Sequence, residues 1–207
     1  RYDEALRSYE TADAALKSSG QEISGSRAQV LIGMGACKRA LGDSAAALKL
    51  SKEGLALYEK LGMSGTSAYG WALLNTGIIL SAAGDYAGSL EWFARATKTF
   101  SAAGLVKSQG YALTEAQNGF AFYQLGRFDE SLKSFLSATD SAAALRLDND
   151  ENYAWYYWYI AMIYADKKNS TKAALPYMEK SVQRFRNAGS AEASRAEAYL
   201  TGLKAAK

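Results

Sequence analysis

The stretch Leu73–Phe93 reads LLNTGIILSAAGDYAGSLEWF. An apolar run closes at Gly84, the turn Gly84-Asp85-Tyr86 follows, and a second run begins in which Ser89 and Phe93 stand four residues apart. Apolar residues spaced three and four apart mark a helix on each side of the turn. Glycine supplies the left-handed backbone that closes the first helix, and aspartate caps the second. The same reading returns along the chain at a fixed interval. Gly42, Gly84 and Gly126 are 42 residues apart, with Asn169 a further 43 on. Gly35, Gly77 and Gly119 keep the interval, as do Gly20, Gly62 and Gly104, a series resumed at Gly189. The series stay in phase apart from one residue inserted between the fourth and fifth units. A fixed period of this length marks stacked supersecondary units.

Each unit is thus a helix, a tight turn and a second helix. The second helix pairs a small residue with leucine, at Ala47-Leu48, Ser89-Leu90, Ser131-Leu132 and Ala174-Leu175. Four residues after the small one stand Ser51, Phe93, Phe135 and Met178. A small residue beside a large one lets two helices approach and interlock. The single proline, Pro176, agrees with a chain that is helical nearly throughout. Sited early in its helix, it is expected to cost less than at the centre and to bend the helix.

These residues resemble the tetratricopeptide repeat family, whose units carry a small residue in the first helix and an alanine and an aromatic four apart in the second. The closest match runs from Leu73 to Phe93, followed by Gly119, Phe122, Gly126, Ser131 and Phe135. Tyr2 to Tyr9 resembles a second helix lacking its first, and Ala191 to Leu203 a first helix lacking its second. The family's terminal proline is missing from every unit, and glycine stops the helices instead. This long form is similar to the repeats of kinesin light chains and of many bacterial regulators. The unit of residues 26–65 departs from the pattern, with Lys38 and Ser51 at aromatic positions.

The resemblance implies an all-α, right-handed superhelical solenoid of antiparallel hairpins, about ten helices in all. It is expected as one domain over 1–207, divided into 1–25, 26–65, 66–107, 108–149, 150–189 and 190–207. The resemblance also implies that first helices line a concave groove that binds a protein or peptide. Projecting them onto that face gives Gln29, Ile32, Gly33, Ala36 and Arg39 in one unit, and Trp71, Leu74, Asn75, Ile78 and Ser81 in the next. Leu113, Ala116, Gln117, Phe120, Tyr123 and Gln124 follow, then Tyr156, Tyr159, Ile160, Ile163 and Asp166. Gly33, Asn75 and Gln117 stand where a clamp for a carboxyl terminus would need basic residues, so a chaperone-tail receptor is not expected. Leu74-Asn75-Thr76-Gly77 resembles the asparagine-bearing run of the long-repeat relatives, which implies that Asn75, and by extension Gln117, hydrogen-bonds a peptide backbone. A carboxamide donates and accepts, and so serves either polarity. Trp155 and Trp158 are expected as packing.

Catalytic chemistry finds little support. The chain has no histidine, the commonest general base and metal ligand. Cys37, the only cysteine, lies mid-helix and reads as a packed small residue, and Gly33-Met34-Gly35 is no phosphate loop. No cofactor, metal or catalytic residue is expected. Asn169-Ser170-Thr171 fits a glycosylation sequon but reads as a turn. No apolar run approaches the roughly 20 residues of a membrane span, so the chain is expected to be soluble, with a cytoplasmic setting favoured. The net charge of +3 does not call for nucleic acid. Residues 165–207 nevertheless hold nine Lys or Arg against four Asp or Glu, which keeps RNA as a lesser alternative. The half-units at both ends point to a fragment. They motivate a second reading, the sensor or regulatory arm of a larger bacterial caspase-like protease or signalling ATPase, and also permit end-to-end stacking between copies.

Overall fold

The computed structural model describes residues 1–146 and 150–206. The end of the 108–149 repeat and Lys207 lie outside the described residues. Ten α-helices are found among those described: α1 Tyr2–Ser18, α2 Gly25–Ala40, α3 Ser44–Lys60, α4 Ser67–Ala82, α5 Tyr86–Ala102, α6 Gln109–Gln124, α7 Phe128–Ala144, α8 Glu151–Met162, α9 Thr171–Asn187 and α10 Ala193–Ala205. They form two compact units, Arg1–Leu105 with α1–α5 and Val106–Lys207 with α6–α10.

The 42-residue phase is written into the helix ends. The first helix of each complete hairpin starts from a side-chain cap: Ser24, Thr66, Ser108 and Asp150, 42 residues apart, accept from the backbone N–H of Arg27, Tyr69, Tyr111 and Asn152. Such a cap satisfies a donor that the first turn leaves unpaired. Asp43 and Asp85 cap α3 and α5 in the same way, while Arg127 caps α7 with no side-chain bond. At the turn of the opening motif Gly84 takes φ 84°, and Asn169 holds the equivalent turn at φ 48° without being glycine. Arg146, 42 residues after Gly104, is also left-handed at φ 55°.

The inserted residue of the fifth unit has a definite place. Asp150 caps α8 in phase, yet Asn169 is one residue late. Between them Ile163–Lys167 forms a π-helical turn. A π-turn is the form an α-helix takes when it absorbs one extra residue. The amide of Lys168 donates to Ile163 O at 3.0 Å, five residues back.

Within a hairpin, glycine on the first helix meets an aromatic ring on the second. A methyl group on Gly119 would lie 2.9 Å from the Phe135 ring, and one on Gly77 would collide with Phe93. In the first hairpin Ser51 faces Gly35 instead; it is fully buried and its hydroxyl has no partner among the described residues. A second tie links positions 26 residues apart: Arg27 to Glu53 at 3.0 Å, Tyr69 to Arg95 at 2.6 Å, and Tyr111 to Ser137 at 3.4 Å. Arg27 also donates to Asp13 at 2.7 Å and to Glu22 O at 3.0 Å, fastening α1 to α2. Burial raises the Asp13 carboxyl, but hydrogen bonds from Lys17 and Arg27 more than offset this and hold it below its usual range.

In unit 2 the core joins α6, α7 and α8 around Phe135, Tyr153, Tyr156, Tyr157, Ile160 and Ile163. A second cluster joins α8, α9 and α10 around Trp158, Met178 and Phe185, with Trp155 packed against it, which matches the packing role expected of both tryptophans. Pro176, exposed in α9, cannot donate to the carbonyl of Lys172, and the helix continues through it.

A candidate binding pocket on the first helices

In unit 1, α2 and α4 run side by side, and the capped starts at Ser24 and Thr66 set their phase. α2 turns Gln29, Ile32, Gly33 and Ala36 toward α4, which answers with Ser67, Ala68, Trp71, Ala72 and Asn75. Small side chains at Gly33, Ala36, Ala68 and Ala72 leave room between the helices. The result is an open cavity of about 560 Å³, completed by Tyr9 of α1 and Tyr58 of α3. That is the size of pocket that takes a small ligand or a few side chains.

Each wall is fixed from behind. The Trp71 ring meets Phe100 edge-on at 6.1 Å between centroids. Tyr9 lies on Gly33, where a Cβ would come within 2.5 Å of its ring. Tyr58 is 4% exposed and packs edge-on against Tyr69 at 6.4 Å. Tyr69 in turn donates to Glu59 and accepts from Arg95. Burial pushes the Tyr58 phenol above its ordinary pKa, so it is a neutral donor across the physiological range. Among the described residues, neither the Tyr58 hydroxyl nor the carboxamides of Gln29 and Asn75 have a hydrogen-bond partner. No lining residue is charged. The pocket therefore offers aromatic faces and unpaired donors and acceptors, with no charge to neutralise.

Trp71 and Asn75 stand in this pocket. Ile78 is half-buried and outside the lining. Leu74, by contrast, is fully buried. The five-position projection was too wide for it, because α4 packs against α2, α3 and α5 and exposes only a narrow strip. The same correction applies in unit 2, where Tyr156 and Ile163 are 8% and 0% exposed and belong to the core. Leu113 and Gln117 are half-buried. Phe120, Tyr123 and Tyr159 pack on one another: Tyr159 stacks on Phe135 at 5.1 Å and meets Tyr123 at 5.2 Å and Phe120 at 6.0 Å, both edge-on. Asp166, at the π-turn, accepts from the Tyr199 hydroxyl at 3.1 Å. Burial first and the Asp166 charge second push that phenol to about 12.

Tyr9 and Tyr58 are absent from the projected groove because it counted first helices alone, and both lie on second helices. Tyr9 carried a signal, being the aromatic four residues after Ala5. Tyr58 carried none. Among the described residues no group of three or more His, Cys, Asp or Glu could hold a metal ion, and no helix is long and apolar enough to cross a membrane.

Residues 26–102 match a tetratricopeptide repeat family model. Among solved structures, the chain is similar to that of BtubC (BKLC) from P. vanneervenii, with a TM-score of 0.75 and 17% identity over 100% of this chain and 90% of that one. It is also similar to a putative kinesin light chain with nearly identical TPR-like repeats from Podosopora anserina, with a TM-score of 0.68 and 12% identity over 88% and 97% of the two chains. No curated protein matches the chain in sequence. At these identities the structural likeness carries the fold.

Proposed function

We infer that this chain, a tetratricopeptide-like helical repeat protein, works as a protein-interaction module that holds an extended, largely apolar segment of a partner on the first-helix face of unit 1. Repeats of this kind generally mediate contacts between proteins. The observation that carries the finer reading is the pocket between α2 and α4, lined by apolar and aromatic side chains with the carboxamides of Gln29 and Asn75 unpaired. An extended peptide brings one backbone donor and one acceptor per residue, and buried peptide groups must find partners. Two amides on facing helices supply both polarities without fixing a sequence. Specificity then falls to the side chain entering between Tyr9, Tyr58 and Trp71.

The test is a selection of random dodecapeptides on the chain, followed by calorimetry on the retained peptides. Asn75→Ala is expected to weaken binding about threefold to tenfold, the worth of one hydrogen bond of ordinary strength, and Trp71→Ala by more. The reading fails if no peptide is retained, or if neither substitution changes the affinity.

A further inference from the structure

The repeat allows the α2/α4 wall of unit 1 to be compared with the α6/α8 wall of unit 2, residue for residue, two repeats later. The caps Ser24 and Thr66 correspond to Ser108 and Asp150, so the register is fixed at both starts, and the π-turn lies beyond the residues compared. Four positions then stand out. Ala36, Ser51, Ala72 and Asn75 in unit 1 correspond to Phe120, Phe135, Tyr156 and Tyr159 in unit 2. In unit 2 these rings fill the space between the helices: Tyr159 stacks on Phe135 with planes 2° apart and meets Phe120 edge-on, and Tyr156 lies 6.1 Å from Phe135. Two exchanges run the other way, since Ile32 and Tyr58 correspond to Ala116 and Ala142. The balance leaves unit 1 with the cavity of about 560 Å³.

We propose that this pocket takes a neutral aromatic group bearing a hydrogen-bond acceptor, seated where unit 2 places its own Phe120 and Tyr159 rings. The assignment deepens the binding reading of the same site and rests on it. Unit 2 shows which chemistry this wall accommodates, an aromatic ring packed edge-on and face-on among others. The walls that remain in unit 1, Tyr9, Tyr58 and Trp71, offer ring faces and edges to such a group. A charged group would give up its hydration among uncharged side chains and gain no ion pair. The acceptor answers the hydroxyl of Tyr58, a nearly buried residue of the pocket lining, which has no hydrogen-bond partner among the described residues.

The experiment uses the isotope-labelled chain and follows the Trp71 indole N–H, the Gly33 amide and the Asn75 carboxamide by NMR. Four probes are added in turn: benzamide, N-acetyl-phenylalanine amide, N-acetyl-lysine amide and N-acetyl-aspartate amide. The two neutral aromatic probes are expected to shift these signals and the two charged ones to leave them in place. The phenylalanine derivative is expected to bind more tightly than benzamide, because the occupant is a side chain of the partner segment, and tighter binding of benzamide would overturn that source. The double variant Ala36→Phe, Asn75→Tyr refills the pocket with unit 2's own residues and is expected to stay folded and lose the response. Tyr58→Phe keeps the ring and removes the donor; it is expected to weaken benzamide about threefold to tenfold and leave toluene unchanged. The proposal is overturned if no probe shifts the signals, if the charged probes shift them equally, or if the folded double variant still responds. The dodecapeptide selection separates the two readings. Retained peptides without an aromatic residue overturn the aromatic assignment and leave the binding reading standing, and an empty selection removes both.

Discussion

Replacing Ser51 and Ser131 by alanine, one at a time, is expected to move stability in opposite directions although the chemical change is identical. Both serines are fully buried at related places in the repeat. Ser131 donates to the Gly119 carbonyl across the hairpin at 2.7 Å. Its loss costs the net worth of one hydrogen bond, about 1 kcal/mol. The Ser51 hydroxyl has no partner among the described residues and stands desolvated against Gly35. An unsatisfied buried hydroxyl costs roughly 1–3 kcal/mol, whereas its oxygen contributes only a few contacts of about 0.1–0.2 kcal/mol each. Ser51→Ala therefore gains about 1 kcal/mol. The two variants differ by about 2 kcal/mol, and with a urea slope of about 2–3 kcal/mol/M their midpoints differ by about 0.7–1 M. Because the serines lie in different compact units, hydrogen exchange along α3 and α7 reads each effect where it arises. If Ser51→Ala speeds exchange in α3, or lowers the midpoint as much as Ser131→Ala does, the reasoning about the unpaired hydroxyl is wrong.

Three further outcomes follow from single positions. Gly77→Ala drives a methyl group into the Phe93 ring and is expected to cost about 1–3 kcal/mol in urea unfolding, partly recovered by Phe93→Leu, while Gly65→Ala, with open space around it, has no comparable clash. Arg146→Gly relieves a side chain held at φ 55° and is expected to raise stability by about 0.5–1 kcal/mol, read as a higher melting temperature. Asp13 has its carboxyl depressed in the folded state, so its contribution is complete above the unfolded pKa near 3.9 and is lost as pH falls through the lower folded value. Stability followed downward from pH 4.5 is expected to fall less steeply in Asp13→Asn than in the parent chain, and equal slopes would contradict the Asp13–Arg27 assignment.

The hairpins were legible because their signals are local. A glycine at φ 84° or an aspartate cap is decided by a few neighbours, and the 42-residue spacing repeats that decision along the chain. Asn169 was placed correctly in the glycine series for the same reason. The inserted residue was visible as a break in phase, but not its form, since α-helix and π-turn differ by a hydrogen-bond shift that composition does not encode. Groove membership was harder to read. Whether Leu74 or Asn75 faces outward depends on how many helices flank α4, and that is a property of packing rather than of period. The unit 2 aromatics illustrate the point: the stripe Phe120, Tyr123, Tyr156 and Tyr159 has the spacing of a binding face, yet Tyr156 is buried in the core and the other three pack half-buried against it. The corresponding smaller residues of unit 1, Ala36, Ala72 and Asn75, are the ones that leave a pocket open.

On this reading, binding resides between α2 and α4 of unit 1. Its most direct measurement is an amide and side-chain NMR map of the labelled chain with a peptide retained by the selection. Perturbations are expected at Gln29, Gly33, Trp71 and Asn75 and not along α9. Perturbations confined to the basic stretch Lys180–Arg186, with the α2/α4 signals unmoved, would contradict it.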